Sequence, residues 1–240
     1  MKKIYFALAL TLVSMGVLAK TEFPTAMLER PFTMPKNAFE SGLQFKNTAV
    51  GIMSFDYGIT HDFQAGVSWG GLTTDDQGLQ PEMNMAVNLG YFLFSTRYAS
   101  SMANFTLPFH FENDVLKKAS FSFTTSIPLI RGHLALLAFY DDLIALDWTN
   151  GLKANFNFPL RLNWQATPHL YLKLATNLVN FSTTGVHTHI IDKTPLTFSA
   201  LYAVTKSVDL VGSFGFTNVQ DCKDAVLMLG MAFRGGELDG

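Results

Sequence analysis

The sequence predicts an all-β protein: a transmembrane antiparallel up-and-down β-barrel of about 12 strands behind a cleaved signal peptide. Three observations predict it. Only 15% of the 240 residues are charged while 13% are aromatic, including 22 Phe; soluble proteins carry roughly 25% charged residues. Beyond the first 19 residues no apolar run is long enough for a spanning helix, which needs about 20 residues. Apolar and polar residues instead alternate with a period of two along most of the chain, which gives a strand one greasy face and one polar face.

The elements follow in chain order. Lys2 and Lys3, the apolar stretch 4–13 and then Val17-Leu18-Ala19 have the order of a secretory signal peptide cleaved after Ala19. No Cys follows that site, so a lipoprotein anchor is not expected. Residues 20–36, rich in Pro, read as a periplasmic lead-in, 37–234 as the barrel and 235–240 as a periplasmic tail. Expected strands are 37–46, 49–58, 62–71, 83–94, 101–112, 119–127, 131–140, 152–166, 169–179, 195–204, 208–217 and 224–234. The clearest is 152–166: Leu152, Ala154, Phe156, Phe158, Leu160, Leu162, Trp164 and Ala166 share one phase, and Lys153, Asn155, Asn157, Pro159, Arg161, Asn163 and Gln165 the other. Such a run exceeds the five or six residues usual for a soluble strand, and a tilted strand needs about 9–11 to cross a bilayer. The stretch 132–140 is nearly all apolar and has no readable phase.

Connections and aromatics agree with the barrel. With a periplasmic N-terminus, every second link is a tight turn and the others are free to lengthen. Of the links after the second, fourth, sixth, eighth and tenth strands, four of the five are very short. The alternate links include a short one at 46–48 but also 72–82, 141–151 and 181–194, which are longer and rich in Asp, Asn, Thr and Gly. On the outward phase, Phe63, Tyr91, Trp164, Tyr202 and Phe233 fall near periplasmic ends, and Phe45, Trp69, Phe109 and Phe111 near outer ends. Those are the positions of the two aromatic girdles of an outer-membrane barrel. A periplasmic β-sandwich also alternates, but with shorter strands and no such loop rhythm.

Arg30-Pro31-Phe32-Thr33-Met34-Pro35-Lys36, followed by an alternating strand and by Tyr57-Gly58-Ile59-Thr60-His61-Asp62-Phe63, resembles the entry segment of a loose family of Gram-negative outer-membrane β-barrel proteins. Their lead-in reads like RPLTLPKG and their first tight turn like YGLTDDLELG. The resemblance covers about 40 of the 240 residues. It implies passage of small, often hydrophobic, compounds and brings no catalytic residues with it. The chain end departs from common outer-membrane practice, because Phe233 is followed by seven further residues.

Candidate functional residues lie on the inward phase. Glu40 and Asp56 on the first two strands, and Lys153, Arg161 and Lys173 on the eighth and ninth, fall on roughly opposite walls of a ring of 12. Acid facing base across a pore makes a transverse field that orients dipolar solutes and sets ion preference. The plainer alternative is that these charges pair and fill the lumen, as side chains do in small barrels. Asn84, Asn88, Asn155, Asn157, Asn163 and Gln165 add amides that line a wet channel or knit a plug. A lipid hydrolase is a second alternative: hairpin register suggests that Asn84, His110 and Ser120 lie side by side near the outer rim as orienter, general base and nucleophile.

Other signals are weaker. His187 and His189 with Asp192 are read as a solvated loop in preference to a metal site. Cys222 is an exposed loop thiol, and Asp75-Asp76-Gln77-Gly78 lacks the further carboxylates of a calcium loop and reads as a turn. One Cys excludes an internal disulfide, and a net charge of -2 gives no basic face for nucleic acid. The sequence therefore points to a monomeric barrel in a Gram-negative outer membrane. Its expected role is a narrow passive channel for small solutes, needing no metal or other cofactor, with outer-membrane lipids and the solutes as partners. The remaining alternative is a non-conducting barrel that holds shape or displays its loops.

Overall fold

A computed structural model describes residues 24–46, 51–75, 78–110, 118–140, 143–149, 151–182, 195–216 and 225–236, with backbone only at 46, 71–84, 110 and 179–182. The expected signal peptide, Phe111, His187, His189, Asp192 and Cys222 lie outside the described residues. The strands are β1 (Ala38–Lys46), β2 (Gly51–Gly58), β3 (Phe63–Asp75), β4 (Gly78–Ser95), β5 (Ser100–His110), β6 (Lys118–Ile130), β7 (Leu134–Ala138), β8 (Ile144–Asp147), β9 (Lys153–Gln165), β10 (Leu170–Ser182), β11 (Leu196–Thr205), β12 (Val208–Phe216) and β13 (Ala225–Gly236).

They occupy 12 positions in one closed antiparallel ring, because β7 and β8 share a single place between β6 and β9. The ring closes where β13 pairs with β1, from Ala38 opposite Gly236 to Lys46 opposite Met228. Closure removes the free sheet edges that hydrocarbon does not tolerate, since no water is present there to satisfy backbone N–H and C=O groups. The break in the seventh position has a local cause. Phe139 takes φ 56, a left-handed conformation that interrupts an extended strand. The ladder is nevertheless kept, as Phe139 N–H donates to Pro159 O at 3.0 Å and Phe139 O accepts from Phe123 N–H at 3.1 Å.

This break corrects two expectations: the strand expected over 131–140 is only half a barrel strand, and the loop expected over 141–151 contains β8. Within the loop expected over 72–82, the described residues are strand as well, with Asp75 opposite Gly78. The last strand runs on to Gly236, two residues beyond the expected boundary at 234. The short links hold: 59–62, 96–99, 131–133, 166–169 and 206–207 all lie at the end where β1 begins and β13 finishes. Outward residues form a continuous apolar belt, with Phe45, Tyr91, Trp164 and Tyr202 exposed. Phe63 stands opposite Tyr91 at the tight-turn end. Met53, Trp69, Met85 and Phe109 form one cross-strand row nearer the other end.

The lead-in differs most from expectation. Met27, Leu28, Arg30, Pro31, Phe32 and Met34, expected in a segment outside the barrel, line its lumen at the tight-turn end. A short 3-10 turn, Met27–Glu29, sits in this segment. Leu28 N–H donates to Gln165 Oε1 at 3.2 Å, Met34 N–H to Gln64 Oε1 at 2.7 Å, and Thr33 Oγ1 to His61 O at 2.9 Å. Asn37, with φ 62, then turns the chain into β1; Asn tolerates that region better than most residues.

Candidate solute path through the barrel

Inside the ring a cavity of about 650 Å³ runs beside the lead-in, and a second of about 470 Å³ opens at the tight-turn end. Leu28, Arg30, Pro31 and Phe32 line both, so the lead-in is the partition between them. The larger cavity has two unlike walls. Across β4 to β6 it is neutral and polar, from Asn88, Asn104, Thr106, Ser120, Ser122 and Thr124. Period-two alternation brings these to one face, where they bond to each other: Asn104 Nδ2 donates to Ser122 Oγ at 3.1 Å and to Thr124 Oγ1 at 3.0 Å.

The other wall, from β9 round to β2, carries the charge. Asp209 on β12 is completely buried and accepts from two guanidiniums. Arg234 Nη2 reaches Asp209 Oδ2 at 2.6 Å, Arg30 Nη2 reaches Oδ1 at 3.0 Å, and Arg30 Nη1 also contacts Oδ2. Arg234 Nε in turn pairs with Glu40 Oε2 at 2.6 Å. The result is a chain, Arg30 to Asp209 to Arg234 to Glu40, that joins the lead-in to the seam where the barrel closes. Two cations and two carboxylates balance, which is the condition for holding charge away from water. Arg30 is also braced within the lead-in, donating through Nε to Pro24 O at 2.9 Å and through Nη2 to Thr25 O at 3.1 Å.

Of the five charges expected in the lumen, Glu40, Asp56, Arg161 and Lys173 line the cavity. Lys153 does not: it is exposed at the first residue of β9, opposite Asp147. Its phase is correct, but it stands too far toward the loop end to face the pore. Glu40 is engaged by Arg234, so the acidic side is weaker than expected. Asp56 stands opposite Glu40 and leans over Gly66, where an added Cβ would meet its carboxylate. Among the amides, Gln165 holds the lead-in, and Asn177 Nδ2 contacts Asn157 Oδ1 at 3.4 Å.

Arg30, Asp209 and Arg234 were not expected. Phase alone identifies two of them: Asp209 is flanked by apolar Val208 and Leu210, and Arg234 follows outward Phe233. Arg30 offered no periodic signal. The residues of the hydrolase alternative are only partly adjacent: Asn84 pairs with His110, but Ser120 pairs with Thr106. That leaves Ser120 four residues from the His110 level, about 13 Å along the ladder. Among the described residues no group of three or more His, Cys, Asp or Glu comes together as a metal site.

No family model and no curated protein matches the sequence. Solved structures do match the fold. The KdgM porin aligns with a TM-score of 0.53 at 7% identity, over 82% of this chain and 98% of that one. The same porin in complex with disordered oligogalacturonate gives 0.54 at 6%, again over 82% and 98%. The NanC porin gives 0.56 at 9%, over 81% and 98%. At these identities the likeness is one of architecture: this chain shares with those structures a closed antiparallel β-barrel of 12 strand positions.

Proposed function

We propose that this chain is a narrow passive channel for small solutes in a Gram-negative outer membrane, acting as a monomer. The observation that carries this reading is the polar cavity of about 650 Å³ inside a closed barrel whose outer surface is an apolar belt. Polar residues inside and apolar residues outside invert a soluble core and match a barrel with a wet interior. The resemblance of the lead-in and first turn to outer-membrane barrel proteins, and the sight of a porin of this fold with oligogalacturonate, support the same reading. Charged groups on one wall and neutral groups on the other give the pore its transverse field.

The non-conducting barrel is favoured by one observation, the lead-in latched into the lumen through Arg30 and Asp209. Planar-bilayer recording on refolded protein decides between them. Single-channel steps in the wild type or in Arg30→Ala support the channel; silence in both leaves the structural barrel. The register of Ser120 gives the hydrolase no support, and lipid cleavage lost in Ser120→Ala is the result that would restore it.

A further inference from the structure

Once the chain from Arg30 to Glu40 has neutralised itself, the remaining charge of the larger cavity is uneven. Arg161 and Lys173 both line it and make no ion pair among the described residues. The carboxylate left over, Asp56, lies on the other side of the seam beside Glu40. Asn163 stands directly opposite Lys173, with Arg161 two residues along β9 on the same face. Opposite residues in such a ladder have Cβ atoms about 5 Å apart and diagonal neighbours about 7–8 Å. Two cations at that spacing repel each other unless an anion joins them.

The hydrogen bonding is incomplete at the same place. Asn163 is fully buried, yet among the described residues neither its Oδ1 nor its Nδ2 has a partner, and Arg161 Nε has none either. A buried polar group left unpaired is costly, typically about 1–3 kcal/mol. Aromatic rings hold the cations without satisfying them: the Arg161 guanidinium lies 4.5 Å from the centre of the Tyr140 ring, and Lys173 Nζ 5.5 Å from that of Tyr171. A ring face attracts a cation through its quadrupole but gives Arg161 Nε no lone pair in the plane of the guanidinium.

We propose that Arg161, Asn163 and Lys173 form a binding site for the carboxylate of a small hydroxylated organic anion, and that the pore prefers such anions to cations. This rests on the channel reading. A carboxylate presents about four lone-pair positions, enough to accept from Arg161, from Lys173 and from Asn163 Nδ2 together. Asn163 Oδ1 remains to accept a hydroxyl of the same solute. The Ser, Thr and Asn wall of β4 to β6 faces the rest of the molecule and favours hydroxyls there over an alkyl chain.

The test uses refolded full-length protein in planar bilayers, as wild type and as Arg30→Ala, with gradients of KCl and gluconate as the carboxylate probe. The expected reversal potential has the sign of an anion-preferring pore, and gluconate blocks the chloride current. In the double variant R161Q/K173Q the preference shifts toward cations and the block disappears; R161K/K173R, which keeps both charges, retains the preference. Asn163→Leu weakens the gluconate block several-fold. Heat-dependent gel mobility verifies that each variant is folded. Conductance without anion preference in wild type, or a gluconate block unchanged in R161Q/K173Q, overturns the proposal. Silence in both wild type and Arg30→Ala overturns the channel reading instead. The site is then judged by titrating gluconate into detergent-solubilised protein: binding lost in R161Q/K173Q supports it, and no binding in wild type overturns it.

Discussion

The two walls of the lumen solve the same problem differently. On β4 to β6, Asn104, Ser122 and Thr124 satisfy one another through neutral hydrogen bonds, each contributing about 1 kcal/mol. On the seam side, Asp209 and Arg234 are buried almost completely and depend on specific charged partners. The neutral wall is a set of small exchangeable contributions, whereas the charged wall fails as a unit when one member is lost. Asp209→Leu is the largest break available. It leaves Arg30 and Arg234 without their shared carboxylate, and removing one partner of a buried ion pair costs about 3–5 kcal/mol. Urea unfolding in lipid vesicles should show a loss of that order, and a loss below about 1 kcal/mol would place Asp209 with the neutral wall.

Arg30→Ala separates the latch from the seam. Asp209 keeps Arg234, and Arg234 keeps Glu40, so the barrel should remain closed. The lead-in loses its charged anchor, worth about 1.5–3 kcal/mol for a hydrogen bond to an ionised group. Conductance is expected to rise several-fold over wild type in bilayer recordings. An unchanged step size would mean that the partition between the two cavities is not what limits flow.

Much of this contrast was legible in the alternation of the sequence, and the reason is geometric. Period-two phasing assigns each residue to one face of the wall, and it placed Arg161, Lys173, Glu40 and Asp56 inside because strand geometry leaves no third choice. Phase carries no height. Lys153 therefore read as a pore residue although it stands at the far rim. Ser120 shared a phase with His110 but not a level, since phase alone does not set the register between two strands. The lead-in has no alternation, so nothing local marks Arg30 as the partner of a residue 179 positions away. Its fate depends on Asp209, a lone acid on an inward phase that requires a cation.

Gln64→Ala probes the lead-in more gently than the latch does. Gln64 Oε1 accepts the Met34 N–H at 2.7 Å, a neutral bond worth about 0.5–1.5 kcal/mol. The segment stays tied through Arg30 and Gln165, so conductance should rise less than in Arg30→Ala. A rise equal to that of Arg30→Ala would mean that the neutral bond, not the charged one, holds the partition.

The smallest effect is expected on the neutral wall. In Ser122→Ala the Asn104 amide loses one acceptor and keeps Thr124 Oγ1 at 3.0 Å, and the cavity gains room for a water to replace the hydroxyl. The stability change should stay under about 1 kcal/mol. Because no charge moves, the reversal potential in a KCl gradient should not shift. A shifted potential in Ser122→Ala would show that ion preference is set by hydroxyl dipoles as well as by Arg161 and Lys173, and the division of labour between the two walls would not hold.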